Sequence, residues 1–99
     1  MTETLERLAA AGIQLLPAFE IPTHYVLERD GFIALVERMP DGFGKIGSPG
    51  LLTPNGFAVL VWRGKEAFFV GKGFEQPAET AQVEMLRRFS ADLERALGA

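Results

Sequence analysis

The chain contains no cysteine, and this absence excludes several kinds of chemistry. Without a thiol it can form no disulfide bond, no thiolate nucleophile and no cysteine-ligated zinc or iron–sulfur centre. It has one histidine, His24, and its carboxylates are scattered along the chain. One imidazole and scattered carboxylates are too few good ligands for a transition-metal site. We therefore predict no catalytic residue, no metal and no cofactor.

Positive charge and long apolar runs are scarce as well. The chain has ten lysines and arginines and thirteen acidic residues, which gives a net charge of −3. This charge balance predicts no basic surface of the kind that binds nucleic acid. The longest strictly apolar run, FAVLVW, is too short to cross a membrane. The opening residues, MTETLER, carry two acids and no apolar stretch, which argues against a signal peptide. We expect a cytoplasmic protein with no nucleic-acid or membrane partner.

Apolar residues, by contrast, are abundant. They make up 47% of the chain, and eight of the 99 residues are phenylalanine. A chain of this length folds as one domain, residues 1–99. Because a small domain has much surface for its volume, part of this apolar content is expected to be exposed on the monomer. Exposed apolar patches usually mark an interface or a ligand groove.

Two β-hairpins are the clearest local signals. Asp30-Gly31 lies between two β-prone runs and predicts a two-residue type I′ turn, because both turn positions need positive φ. The register of this turn places His24 opposite Glu37. Gly64-Lys65 predicts a second two-residue turn, of type II′, between the apolar runs on either side of it.

Helical periodicity appears at both ends of the chain. Leu5 and Leu8 lie on one face of a short N-terminal helix, and apolar residues at 3-4 spacing from Met85 to Leu97 predict a long C-terminal helix. Pro77 is expected near the first position of that helix. The fold class is therefore α+β: an antiparallel sheet of four to five strands in two hairpins, a short N-terminal helix and a long C-terminal helix, arranged as a two-layer sandwich.

Neither face of the predicted sheet is polar, although a sheet covered on one side should alternate apolar with polar residues. Two helices can cover one face, so at least part of the other needs a different cover. We expect a second copy of the chain, because symmetric homodimers are the commonest assembly. The alternative is that the N-terminal helix covers the second face. The residues predicted to lie at the interface are Phe43, Leu60, Trp62 and Phe69.

The segment 41–56, DGFGKIGSPGLLTPNG, contains GFGKIG, which has the spacing G-x-G-x-x-G. In dinucleotide-binding folds such glycines lead into a helix whose N-terminus holds the phosphates. Two prolines and two more glycines follow here, so no helix begins. The apolar residues of the segment predict a connector that packs on the sheet, contacts a second copy or covers a ligand. Leu51-Leu52 and Pro54-Asn55-Gly56 are compatible with a short extra strand and a turn.

Two functions from different classes remain open. The sequence favours a non-enzymatic, homodimeric protein-interaction or adaptor module that uses an apolar sheet face and segment 41–56, with another protein as a further partner. The alternative is a modest enzyme or a protein that binds a small molecule, phosphate-containing ligands included, with segment 41–56 as a lid. Its polar contacts would come from His24, Glu37, Lys45 and Arg63. A pocket in which two or more of these four side chains converge would favour the alternative.

Overall fold

Two helices and eight strands make up the fold of the described residues. The computed structural model describes residues 2–16, 22–54 and 56–98. The helices are α1, Thr2–Ala10, and α2, Thr80–Leu97. The strands are β1 Gln14–Leu15, β2 His24–Arg29, β3 Phe32–Met39, β4 Gly42–Ile46, β5 Gly50–Thr53, β6 Gly56–Arg63, β7 Glu66–Gly71 and β8 Phe74–Pro77.

All the strands belong to one antiparallel sheet with the order β1-β2-β3-β5-β6-β7-β8, and β4 also pairs with β3. The α+β class, the antiparallel sheet, the short N-terminal helix and the long C-terminal helix are confirmed. The predicted count of four to five strands is wrong, because the sheet has eight.

Both predicted hairpins are present. Asp30 and Gly31 have φ angles of 54° and 88°, as a type I′ turn requires, and His24 is opposite Glu37 in the register. Gly64 has a φ of 65°, and the strands on either side of its turn are β6 and β7. In each hairpin, turn chemistry and strand pattern favour the same register.

The prediction differs most from the structure in segment 41–56, because this segment is largely strand rather than connector. β4 and β5 both lie in it and both pair with β3, where Ile46 is opposite Val36 and Leu51 is opposite Phe32. Only residues 47–49 interrupt the run. The predicted extra strand at Leu51-Leu52 is confirmed as part of β5, whereas Asn55 of the predicted turn lies outside the described residues.

The residues before α2 also differ from the prediction. Gly73, with a φ of 67°, allows a tight turn into β8, an edge strand paired with β7. Pro77 ends this strand, where its missing N–H is tolerated, instead of starting the helix. The helix begins at Thr80, and Glu79 and Gln82 form a capping box at its N-terminus.

Both helices lie on the same face of the sheet. The core joins Leu8 of α1 and Phe89 and Leu93 of α2 to side chains from one face of β2, β3, β6 and β7. The Nε of Arg7 donates a hydrogen bond to the carbonyl oxygen of Ala96, at 2.9 Å, and so ties α1 to α2. Within the described residues, α1 therefore does not cover the second sheet face, and that alternative is wrong.

Arg29 joins the first hairpin to both helices. Its Nη1 donates to the carbonyl oxygen of Ala11 at 3.0 Å and to Oδ2 of Asp92 at 2.8 Å, and its guanidinium lies 5.7 Å from the ring centroid of Phe89. The hydrogen bond from Arg29 lowers the pKa of Asp92 below its ordinary value of 3.8. Arg29 therefore links the first hairpin to α2 beside the core.

This ion pair predicts a specific acid sensitivity. Because the pKa of Asp92 is lowered in the folded state, the pair stabilises the fold above the ordinary pKa, and this contribution is lost as the pH falls through the lowered folded value. Urea unfolding followed by circular dichroism from about pH 5 to about pH 2 should show a shallower loss of stability for Asp92→Asn than for the unaltered chain. Glu94→Gln, at an exposed position of the same helix, is the control. Equal slopes for Asp92→Asn and the unaltered chain would contradict the assignment.

A second prediction concerns the core. Phe89 is completely buried, so Phe89→Ala should lower the free energy of unfolding by about 3 to 5 kcal/mol. Met85→Ala, one turn earlier at a half-exposed position, should cost much less. Urea titration measures both values. Similar losses for the two variants would show that α2 does not pack on the sheet as described.

Candidate functional site

The surface that lacks a cover is the sheet face opposite the helices. Six apolar side chains of β5, β6 and β7 lie on it, and each is partly exposed. In contrast, Ala58 and Phe69, on the helix side of the same strands, are 0% exposed. We call these six residues the open face: Leu52, Phe57, Val59, Val61, Phe68 and Val70.

The open face belongs to one half of the sheet. Val26 and Ile33 lie on the same side of the first hairpin, yet each is only 2% exposed. Cross-strand register brings the open-face residues together, since Val59 is opposite Val70 and Val61 is opposite Phe68. Such cross-strand pairs stabilise a sheet and form a continuous apolar surface.

Charged residues border the open face. The guanidinium of Arg63 lies 5.0 Å from the ring centroid of Phe68 and pairs with the carboxylate of Glu75. These two side chains are about half exposed, and exposed ion pairs add little stability. An apolar centre with a polar rim is the usual anatomy of a protein–protein interface.

The total surface of the chain is large for its mass. The chain exposes 6344 Å², whereas a compact monomeric protein of 10.8 kDa exposes about 5,500 Å². The elongated shape, 39 × 25 × 20 Å, accounts for the additional area.

The four predicted ligand contacts lie on four different strands: His24 on β2, Glu37 on β3, Lys45 on β4 and Arg63 on β6. His24 is opposite Glu37, but its Nδ1 lies 2.8 Å from Oγ1 of Thr23. Lys45 is exposed on β4, and Arg63 is engaged with Glu75. None of the four lines any of four well-formed cavities in the described part of the chain.

The four predicted interface residues all lie on the helix side. Phe69 is buried in the core. Phe43 packs against the core and places its ring centroid 5.0 Å from that of Tyr25. Leu60 also packs against the core, and Trp62, 50% exposed, lines a groove of about 410 Å³ beside the start of α2. The open face therefore consists of residues that the sequence analysis did not select.

Comparisons with protein-family models, with curated proteins and with solved structures found no significant match. Within residues 2–16, 22–54 and 56–98, no group of three or more potential metal-ligating side chains comes together. Neither of the two described helices is long and apolar enough to span a membrane.

Proposed function

We propose that the chain is a non-enzymatic protein-interaction module that forms a homodimer through the open face. The observation that carries this proposal is the continuous apolar surface of six partly exposed side chains on a sheet that has both helices on its other side. Leaving such a surface in water forgoes about 25 cal/mol for each Å² that a partner would bury.

The open face has features that suit a second copy of itself. In a two-fold dimer the same patch meets itself, so a charge at its centre would meet a like charge. The centre of the open face is uncharged, and its rim carries both signs, Arg63 and Glu75. A symmetric contact therefore buries apolar groups on apolar groups and leaves opposite charges at the edge.

Segment 41–56 belongs to this module as part of the sheet. Its strand β5 contributes Leu52 to the open face and pairs with β6 along the surface. Two observations disfavour the alternative of a ligand-binding protein or enzyme. The segment pairs with β3 rather than being free to close as a lid, and none of the four polar residues predicted for the ligand lines a cavity described above.

Adjacent residues of β6 offer a matched pair of variants. Val61 lies on the open face, and Trp62, its neighbour, lies on the helix side at 50% exposure. Val61→Glu places a carboxylate in the interface twice, once from each copy, and should raise the dimer dissociation constant by roughly 100-fold or more. Trp62→Glu should leave it within about threefold of the unaltered value. Sedimentation velocity over a dilution series measures all three constants.

Circular dichroism spectra of both variants check that the chain remains folded. Val61→Thr, which keeps the shape and changes only the polarity, serves if the glutamate variant unfolds, and it should weaken the dimer more modestly. Weakening by Trp62→Glu but not by Val61→Glu would place the interface on the helix side and overturn the proposal.

A further inference from the structure

The sheet divides next to β3. The start of β3 pairs with β5 and its end pairs with β4, and the gap lies between β4 and β6. β5 pairs with β6 only as far as Gly50 opposite Val59, while β4 pairs with β3. Among the described residues β4 makes no pair with β6, so the last residues of β6 have a strand on one side only. We call this unpaired edge of β6, from Leu60 to Arg63, the fork.

Pro49 explains why the pairing stops. Continuing the register of β5 and β6 by one residue would place Pro49 opposite Leu60. The N–H of Leu52 donates to the carbonyl oxygen of Gly31, on the β3 side of the strand. Because backbone groups alternate along a strand, those of Leu51 and of Pro49 point toward β6, so Pro49 would have to exchange hydrogen bonds with Leu60. Proline has no N–H to donate, and the ladder ends there.

The hairpin geometry shows which backbone groups face the fork. The two residues that flank a two-residue turn bond to each other, so Arg63 and Val61 direct their N–H and C=O groups toward β7. Leu60 and Trp62 alternate with them and direct theirs toward the fork. No described residue supplies a backbone partner for these groups.

A cavity of about 270 Å³ lies beside the fork on the helix side. Leu60, Pro49 and Leu86 give it apolar walls, and Ser48 and Ser90 also line it. Arg87 is its only charged lining residue, and this exposed side chain has no ion-pair partner within the described ranges. The site therefore combines an open strand edge, an apolar recess and one positive charge.

We propose that the fork binds an extended segment of a partner polypeptide as an added strand, with an apolar side chain in the cavity and a carboxylate beside Arg87. Strand addition obtains affinity from main-chain hydrogen bonds and specificity from pockets for alternate side chains. The positive charge selects an acidic segment. This site lies on the edge of β6 rather than on the open face, so the inference goes beyond the proposed dimer and does not rest on it.

Amide hydrogen exchange measured by NMR tests the unpaired edge directly. In the free protein, the amides of Leu60 and Trp62 should exchange at least tenfold faster than those of Val61 and Arg63, which bond to β7. If the amides of Leu60 and Trp62 are as protected as that of Val61 in dilute protein, the fork is already paired and the inference is wrong. Protection that rises with protein concentration alone would identify a second copy as the occupant and would also overturn it.

A synthetic peptide tests the occupant. The probe is the acetylated and amidated heptapeptide TVTLTET, whose leucine and glutamate point to the same side of an extended chain. At millimolar concentration it should slow exchange at Leu60 and Trp62 by tenfold or more. N-methylation of the peptide's leucine and N-methylation of the threonine after it should weaken binding to different extents. The reason is that neighbouring N–H groups of a strand point to opposite sides, so only one of the two faces β6.

Arg87→Glu should weaken binding of this peptide by about tenfold, and replacing the peptide glutamate with lysine should restore it. Arg88→Glu, at the next exposed position of α2, is the matched control and should change little. Failure of the probe to slow exchange at Leu60 and Trp62, or equal losses in the two arginine variants, would overturn the inference. Sedimentation of the same samples separates this outcome from failure of the dimer, since peptide binding at the fork leaves the oligomeric state unchanged.

Discussion

The placement of both helices on a single face of a sheet that is apolar on both faces is the constraint on which the rest of the structure depends. The hydrogen bond from Arg7 to Ala96 holds α1 beside α2, and Arg29 holds α2 against the first hairpin through Asp92. With both helices on that face, no described element covers the part of the opposite face that β5, β6 and β7 form. The open face is therefore a consequence of how the helices are anchored.

The division of the sheet follows from two neighbouring residues. Pro49 cannot continue the ladder to β6, and Gly50 is the last residue of β5 that pairs with β6, opposite Val59. A Cβ at Gly50 would overlap the carbonyl oxygen of Ala58 and lie 2.8 Å from a ring carbon of Phe57. A side chain there would push apart the strands that carry the open face. β5 thus joins the two halves of the sheet, since it pairs with both β3 and β6. Because its pairing with β6 stops at Gly50, the fork has no partner strand.

Local chemistry explains which parts of this fold could be predicted from the sequence. Asp30-Gly31 and Gly64-Lys65 specify their hairpins through turn geometry, and the periodicity of α2 needs no tertiary information. The strand β4 was missed because its glycines resemble those of a flexible connector, whereas pairing with β3 makes it extended. Which sheet face receives the helices is a tertiary choice, and it places the predicted interface residues, Phe69 among them, on the helix side. The small side chains on one face, such as Ala34 and Ala58, were the available signal, because they let a helix approach closely.

The central claim is that the open face is covered by a second copy of the chain. Sedimentation equilibrium of the unaltered protein at micromolar concentration tests it most directly, because the result depends on mass and not on shape. The account predicts a species of twice 10.8 kDa that dissociates on dilution. A single species of 10.8 kDa throughout the micromolar range would contradict it.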